Sequence, residues 1–186
     1  MRLLRSRFPN APARVLAVLV LPGAMAMPAH AQDTTPPSRE RAPCKAPAHR
    51  QFDFWIGNWD VRSGAGETAG HSRVTSEFGG CVLREQWTSA NGRAGSSFNI
   101  FDAGTGRWHQ TWVDDGGMLL LLDGSVREDG AIMLQGERRR PDGGTVRHRI
   151  TWTPLGADAL RQIWEVSSDG GSSWRTLFDG HYQRAR

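Results

Sequence analysis

From Phe54 to the end of the chain, apolar and polar residues alternate in short runs, and no stretch sustains the three-to-four spacing of an amphipathic helix. Ten such runs predict strands at about 54–62, 70–78, 81–89, 96–102, 107–114, 117–123, 131–138, 145–153, 159–167 and 174–183. The punctuation between them is glycine with aspartate or asparagine, as in Asn91-Gly92, Asp129-Gly130 and Asp142-Gly143-Gly144. Asx-Gly pairs supply the positive φ angles of tight hairpins, so sequence neighbours are expected to pair antiparallel. The one region with a helical expectation is a turn near 50–56, placed to plug one end. No parallel βαβ pattern occurs.

Ten meandering strands must dispose of their edges, and closure into an up-and-down barrel does so. The alternative is a sandwich of two five-stranded sheets. Greek-key sandwiches use long crossing connections, and none of these linkers is long, which favours the barrel. The stretch FDFWIGNWDV (Phe52 to Val61) then reads as the closing point. Trp55, Gly57, Trp59 and Val61 share one face, with Phe54, Asn58 and Asp60 on the other. The glycine admits a close neighbour, and the tryptophans plug the end where first and last strands meet.

These residues resemble the Gly-x-Trp signature that opens the first strand of lipocalins, fatty-acid-binding proteins and other calycins. More closely, the mature chain resembles a group of uncharacterised exported bacterial lipocalin-like proteins. The likeness is carried by FDFWIGNWDV, GCVLREQW, FNIFDAGTGRWHQTWVDDGG, RITWTP and IWEVSSDGGSSW followed by FDGHY. It implies an all-β calycin-like barrel with room for a cavity, and no particular activity. Haem-binding calycins place a lone histidine late in the chain, which singles out His181. They also carry a glycine two residues after the first-strand tryptophan, where this chain has Val61, so the pattern departs and no cofactor is expected.

The ends change the charge picture. Arg2, Arg5, Arg7 and Arg14, the apolar run Val15 to Met27, and Ala29-His30-Ala31 read as a signal peptide over 1–31. The apolar run is broken by Pro22 and falls short of the roughly 20 residues of a membrane span, so no stable anchor is expected. Of 23 basic and 19 acidic residues, four arginines leave with that segment, giving 19 against 19. A balanced chain offers no long-range attraction for nucleic acid. Residues 32–50 are Pro-rich and charged, with little to bury, and read as a disordered leader to a barrel domain over 51–186. Cys44 and Cys81 are the two cysteines, without metal-ligand spacing. In a periplasmic or secreted protein they are expected to form a disulfide strapping the leader to the barrel, and no metal site is expected.

The candidate chemistry is aromatic and carboxylic. SSDGGSSW (Ser167 to Trp174) has the Asp-box pattern of sialidase propellers, but one copy builds no propeller and reads as a hairpin turn. Trp108, Gln110 and Trp112 fall on one face of the fifth strand, with Arg107, His109 and Thr111 on the other. Two rings and one amide on an inward wall suit an apolar pocket with an orienting polar group. Leu83, Glu85 and Trp87 share a face of the third strand. An inward glutamate is costly unless paired, with Arg147 or Arg149 as candidate partners; the alternative is that Glu85 and Glu165 face water. No histidine pair has ligand spacing, and no G-x-S-x-G elbow occurs. The ligand-binding candidates are therefore Trp108, Gln110, Trp112, Glu85 and Trp87. They suit a small hydrophobic or aromatic molecule. An enzyme using Glu85 or Glu165 as acid or base, and a structural or partner-binding module, are the alternatives, and the oligomeric state stays open.

Overall fold

The computed structural model describes residues 44–186. The expected signal peptide (1–31) and residues 32–43 of the expected leader lie outside the described residues. Ten strands follow in order: β1 Gly57–Ser63, β2 Thr68–Glu77, β3 Val82–Ser89, β4 Ala94–Asp102, β5 Arg107–Asp114, β6 Leu119–Val126, β7 Ile132–Arg139, β8 Thr145–Pro154, β9 Ala159–Ser167 and β10 Arg175–Arg184. Each pairs antiparallel with its sequence neighbours, and β1 pairs with β10, which closes the barrel. The expected all-β up-and-down barrel is thus observed, and the sandwich is not. The Asx-Gly turns behave as their chemistry requires. Gly92, Gly130 and Gly143 all adopt positive φ, and their amides donate to Ser89 O, Arg127 O and Arg140 O at 2.9–3.0 Å.

The opening stretch differs from the expected strand. β1 begins at Gly57, not Phe54. Before it, Pro47–Arg50 and Asp53–Trp55 form two short 3-10 turns. The reason is packing. In a strand, Phe52 and Trp55 would lie on opposite faces, whereas a turn aims both rings into the barrel end. Phe52 stacks on Trp55 at 5.0 Å between ring centroids and meets Trp108 and Trp152 edge-on at 5.4 and 5.2 Å. Phe52, Trp55 and Trp152 are fully buried. Burying each such side chain stabilises the fold by about 1.5–3 kcal/mol.

Closure is fastened by Arg184 at the end of β10. Its guanidinium lies 4.4 Å from the Trp59 ring centre and donates to Ile56 O, Ala157 O and the Asp158 carboxylate at 3.0–3.1 Å. The Trp59 indole N–H donates to Trp55 O at 2.8 Å, joining the plug to the first strand. Gly57 is the residue this requires. Its φ is +147°, and a Cβ there would sit 2.1 Å from Arg184 Nη1. The close neighbour anticipated for this glycine is therefore a guanidinium.

The end of the leader is fixed in place. Cys44 and Cys81 form the expected disulfide, spanning 37 residues of sequence, and closing such a loop contributes about 3–4 kcal/mol in the chain-entropy model. Arg50 also donates to Gly80 O and sits 3.3 Å from Asp53, so the plug and the β2–β3 connection are held as one unit.

Gly57→Ala is expected to cost about 1–3 kcal/mol in urea denaturation, because the backbone is strained and the guanidinium is displaced. Adding Arg184→Ala removes the displaced group, so the double variant should lose less than the two single losses combined.

Candidate functional site

The plugged end of the barrel is solid, and the opposite end is hollow. Inward positions near the plug carry Trp59, Leu83, Trp108, Ile132, Leu134, Trp152 and Leu160. Toward the other end the inward positions of β2, β4 and β10 are small: Gly70, Ser72, Gly95, Ser97 and Gly180. Aromatic rings lie flat on this thinned wall. A Cβ on Gly95 would fall 2.3 Å from the Trp112 ring, one on Gly180 2.4 Å from Phe178, and one on Gly70 2.9 Å from Trp87. Rings that lie against the wall leave the middle empty. The result is a cavity of about 380 Å³, in the range of small-molecule sites. Its walls are Trp87, Trp112, Trp164, Phe178, Leu120, Ile150 and Leu177. Trp87, Trp112 and Trp164 stand toward the ends of β3, β5 and β9 away from the plug. Each is only partly buried, and Leu177 is 43% exposed, so the cavity reaches solvent there.

Below these rings the lining turns polar: Glu85, Gln110, Gln162 and Tyr182. Ser72 Oγ and Ser97 Oγ each donate to a different oxygen of Glu85, both at 3.0 Å. The direction of the network follows from one backbone carbonyl. Asn99 Nδ2 lies 3.1 Å from Leu83 O, an acceptor only, so the amide nitrogen must face it. That nitrogen also donates to Ser97 Oγ at 3.0 Å, which turns the serine proton toward Glu85. Asn99 Oδ1 then accepts from Gln110 Nε2 at 2.8 Å. One donor each from Gln110, Asn99 and Ser97 thus runs in sequence toward the Glu85 carboxyl. On the opposite wall the Tyr182 hydroxyl donates to Gln162 Oε1.

Burial decides the charge of this carboxyl. Glu85 is 3% exposed, and desolvation pushes its pKa from the ordinary 4.5 to about 7, against the two serine hydroxyls that favour the anion. The expected arginine partners are elsewhere. Arg149 pairs with Glu165 at 2.9 Å, and Arg147 with Glu137 at 2.8 Å. Strand alternation sends odd-numbered positions of β8 outward while His148, Ile150 and Trp152 point in, so neither arginine can reach Glu85. The same ion pair removes Glu165 from the cavity. Tyr182 is fully buried, and its hydroxyl pKa is raised by desolvation and by Glu85. His148 stands beside Trp164 at an inward position of β8, accepting from the indole N–H at 3.1 Å, with its pKa lowered by burial and by Arg138.

The five candidate residues divide. Glu85, Trp87, Gln110 and Trp112 meet around the cavity. Trp108 points inward as expected but sits one layer deeper, in the plug, its indole N–H donating to Gln51 Oε1 at 3.2 Å. His109 faces outward, bonded to Asp123 and Thr111 at 2.8 and 2.9 Å. His181 is also outward on β10, 3.5 Å from Asp179. The Asp-box stretch is the β9–β10 turn: Asp169 accepts from Ser173 N and Oγ and from Ser167 Oγ, which holds its carboxyl well below the usual range. Sequence reasoning missed Ser72, Ser97, Asn99, Gln162 and Tyr182. Their signal was small or polar residues at inward positions of otherwise apolar strand faces. No protein-family model matches the chain, and no curated protein matches it.

Glu85 makes stability depend on pH with a definite sign. Between about pH 4.5 and 7 the folded protein holds a proton that the unfolded chain has released. Stability should therefore fall as pH rises through that window, by on the order of 3 kcal/mol in full. His148, buried and with a lowered pKa, acts in the opposite direction. The readout is accordingly the difference between wild type and Glu85→Gln in urea denaturation at pH 5 and pH 8. The variant should gain on the wild type at the higher pH; equal differences at both would show that Glu85 does not hold its proton.

Proposed function

We propose that this barrel, on a lipocalin-like scaffold, binds a small hydrophobic or aromatic molecule in its open-ended cavity. The observation that supports this most is the wall itself. Glycines at 95 and 180 let the Trp112 and Phe178 rings lie back against the wall, beside a cavity of about 380 Å³ with a polar floor. Aromatic rings kept partly exposed around a solvent-reaching cavity forgo burial that an apolar occupant would restore. The rings supply flat apolar surface, and Glu85, Gln110 and Tyr182 orient one polar group of the ligand. The Cys44–Cys81 disulfide supports residence in an oxidising compartment, periplasmic or extracellular. No helix among the described residues is long and apolar enough to cross a membrane.

A second reading is favoured by one observation. A carboxyl with a pKa of about 7 facing a cavity is poised as a general acid or base. It predicts turnover that Glu85→Gln abolishes while ligand affinity persists.

Uptake of the neutral fluorescent probe N-phenyl-1-naphthylamine tests the binding reading. The wild type should enhance its emission, and Gly95→Ala should suppress this by driving the Trp112 ring into the cavity. Trp112→Ala should change uptake while costing about 3 kcal/mol, the low end for a buried tryptophan, because one side of the ring has no packing partner. A wild type that takes up no probe would identify the rings as closed core.

A further inference from the structure

The charge of the cavity carries the binding reading one step further. Its lining holds two ionisable groups, Glu85 and Tyr182, and both are acids. No arginine, lysine or histidine is among the lining residues. Two basic groups, Arg138 of β7 and His148 of β8, hold inward positions next to this cavity, with His148 bonded to the Trp164 indole, but neither is among its lining residues. The hydrogen-bond network meanwhile can serve an anion. Ser97 already accepts from Asn99 and gives its proton to Glu85, and Ser72 gives its own. A neutral carboxylic acid needs an acceptor for its proton, so it fits this arrangement only if Ser72 reverses. The site thus assembles donors around a buried carboxylate and omits the cation that would make burial inexpensive.

Three indoles and a phenyl ring surround the remaining space. Trp87 and Phe178 meet edge-to-face at 5.8 Å between centroids, with Trp112 and Trp164 on the other walls. Aromatic faces carry negative potential and attract ammonium groups, more strongly where water is excluded.

Resting on the proposal that the cavity binds a small molecule, we infer that its ligand is a primary or secondary arylalkyl ammonium, whose cationic nitrogen sits on Glu85 while its ring lies among Trp87, Trp112, Trp164 and Phe178. The ligand supplies the missing cation, and the carboxylate with its two serine donors supplies the counter-charge. Fatty acids and other carboxylates are disfavoured, since they would place a second anion beside Glu85 with no base to receive it.

Isothermal titration with a matched set tests this: 2-phenylethylamine, 2-phenylethanol and 3-phenylpropionate, alike in size and differing in charge. The amine should bind about tenfold or more tighter than the alcohol, the difference expected of a charge-assisted over a neutral hydrogen bond. The propionate should bind most weakly. In Glu85→Gln the amine should lose about tenfold more affinity than the alcohol, so that the two bind alike. Titrating the amine at pH 6.5 in two buffers of different ionisation enthalpy should also show proton release, because a cation beside Glu85 ionises it. Alcohol or propionate binding as tightly as the amine would overturn the ammonium assignment and leave the pocket standing. Failure of all three ligands and of N-phenyl-1-naphthylamine to bind would overturn the pocket, and this inference with it.

Discussion

The barrel depends on the junction where its first and last strands meet. An open ten-stranded meander would leave two rows of unpaired backbone groups, and the β1–β10 ladder removes both. That ladder is locked at one end by Arg184, which lies over the Trp59 ring and bonds backbone carbonyls on both sides of the seam. The guanidinium reaches its place only because residue 57 has no side chain. Since Trp59 also bonds to Trp55, the seam and the aromatic plug are one assembly. The disulfide and Arg50 then tie the plug to the β2–β3 connection.

Firm closure at one end is what permits emptiness at the other. The plug concentrates the apolar burial: Phe52, Trp55, Trp108 and Trp152 pack within about 5.5 Å of one another, centroid to centroid, where they touch. With stability supplied there, the far half can hold small residues and partly exposed rings. The polar band between the halves is satisfied without a cation. A chain of amides and hydroxyls runs from Gln110 through Asn99 and Ser97 to Glu85, each with a partner. Such a band fixes side-chain positions more tightly than apolar packing, because a displaced donor loses its hydrogen bond in a medium that offers no replacement. It also leaves a carboxyl whose ionisation is finely balanced near neutral pH.

The outward surface follows a different logic. Its charges are arranged as cross-strand pairs: Arg149 with Glu165, Arg161 with Asp179, Arg147 with Glu137. Each contributes little by itself, and their main effect is to keep alternate strand positions polar and so hold the register. The Asp-box turn extends this outer scaffold. Arg149 lies 4.1 Å from the centre of the Trp174 ring, so the motif packs against β8 from outside and takes no part in the cavity.

Period and punctuation by themselves pointed to the strand count, the antiparallel pairing, the closure and the inward face of β5, while the face of β3 that carries Glu85 stayed open. The physical reason is that strand alternation and Asx-Gly turns are local, needing only neighbours in sequence. The disulfide was legible because only two cysteines exist. The tertiary structure alone decided three things. Residues 52–56 turn instead of extending, because the barrel end offers Phe52 and Trp55 a common apolar seat. Trp108 goes to the plug and Trp112 to the cavity, a matter of depth along one face that alternation cannot distinguish. Glu85 lacks a cation, because its neighbours are Ser72, Ser97, Gln162 and Tyr182, brought from four strands spread across more than half the chain. Which residues share a charge's surroundings is set by long-range packing, and no local pattern carries it.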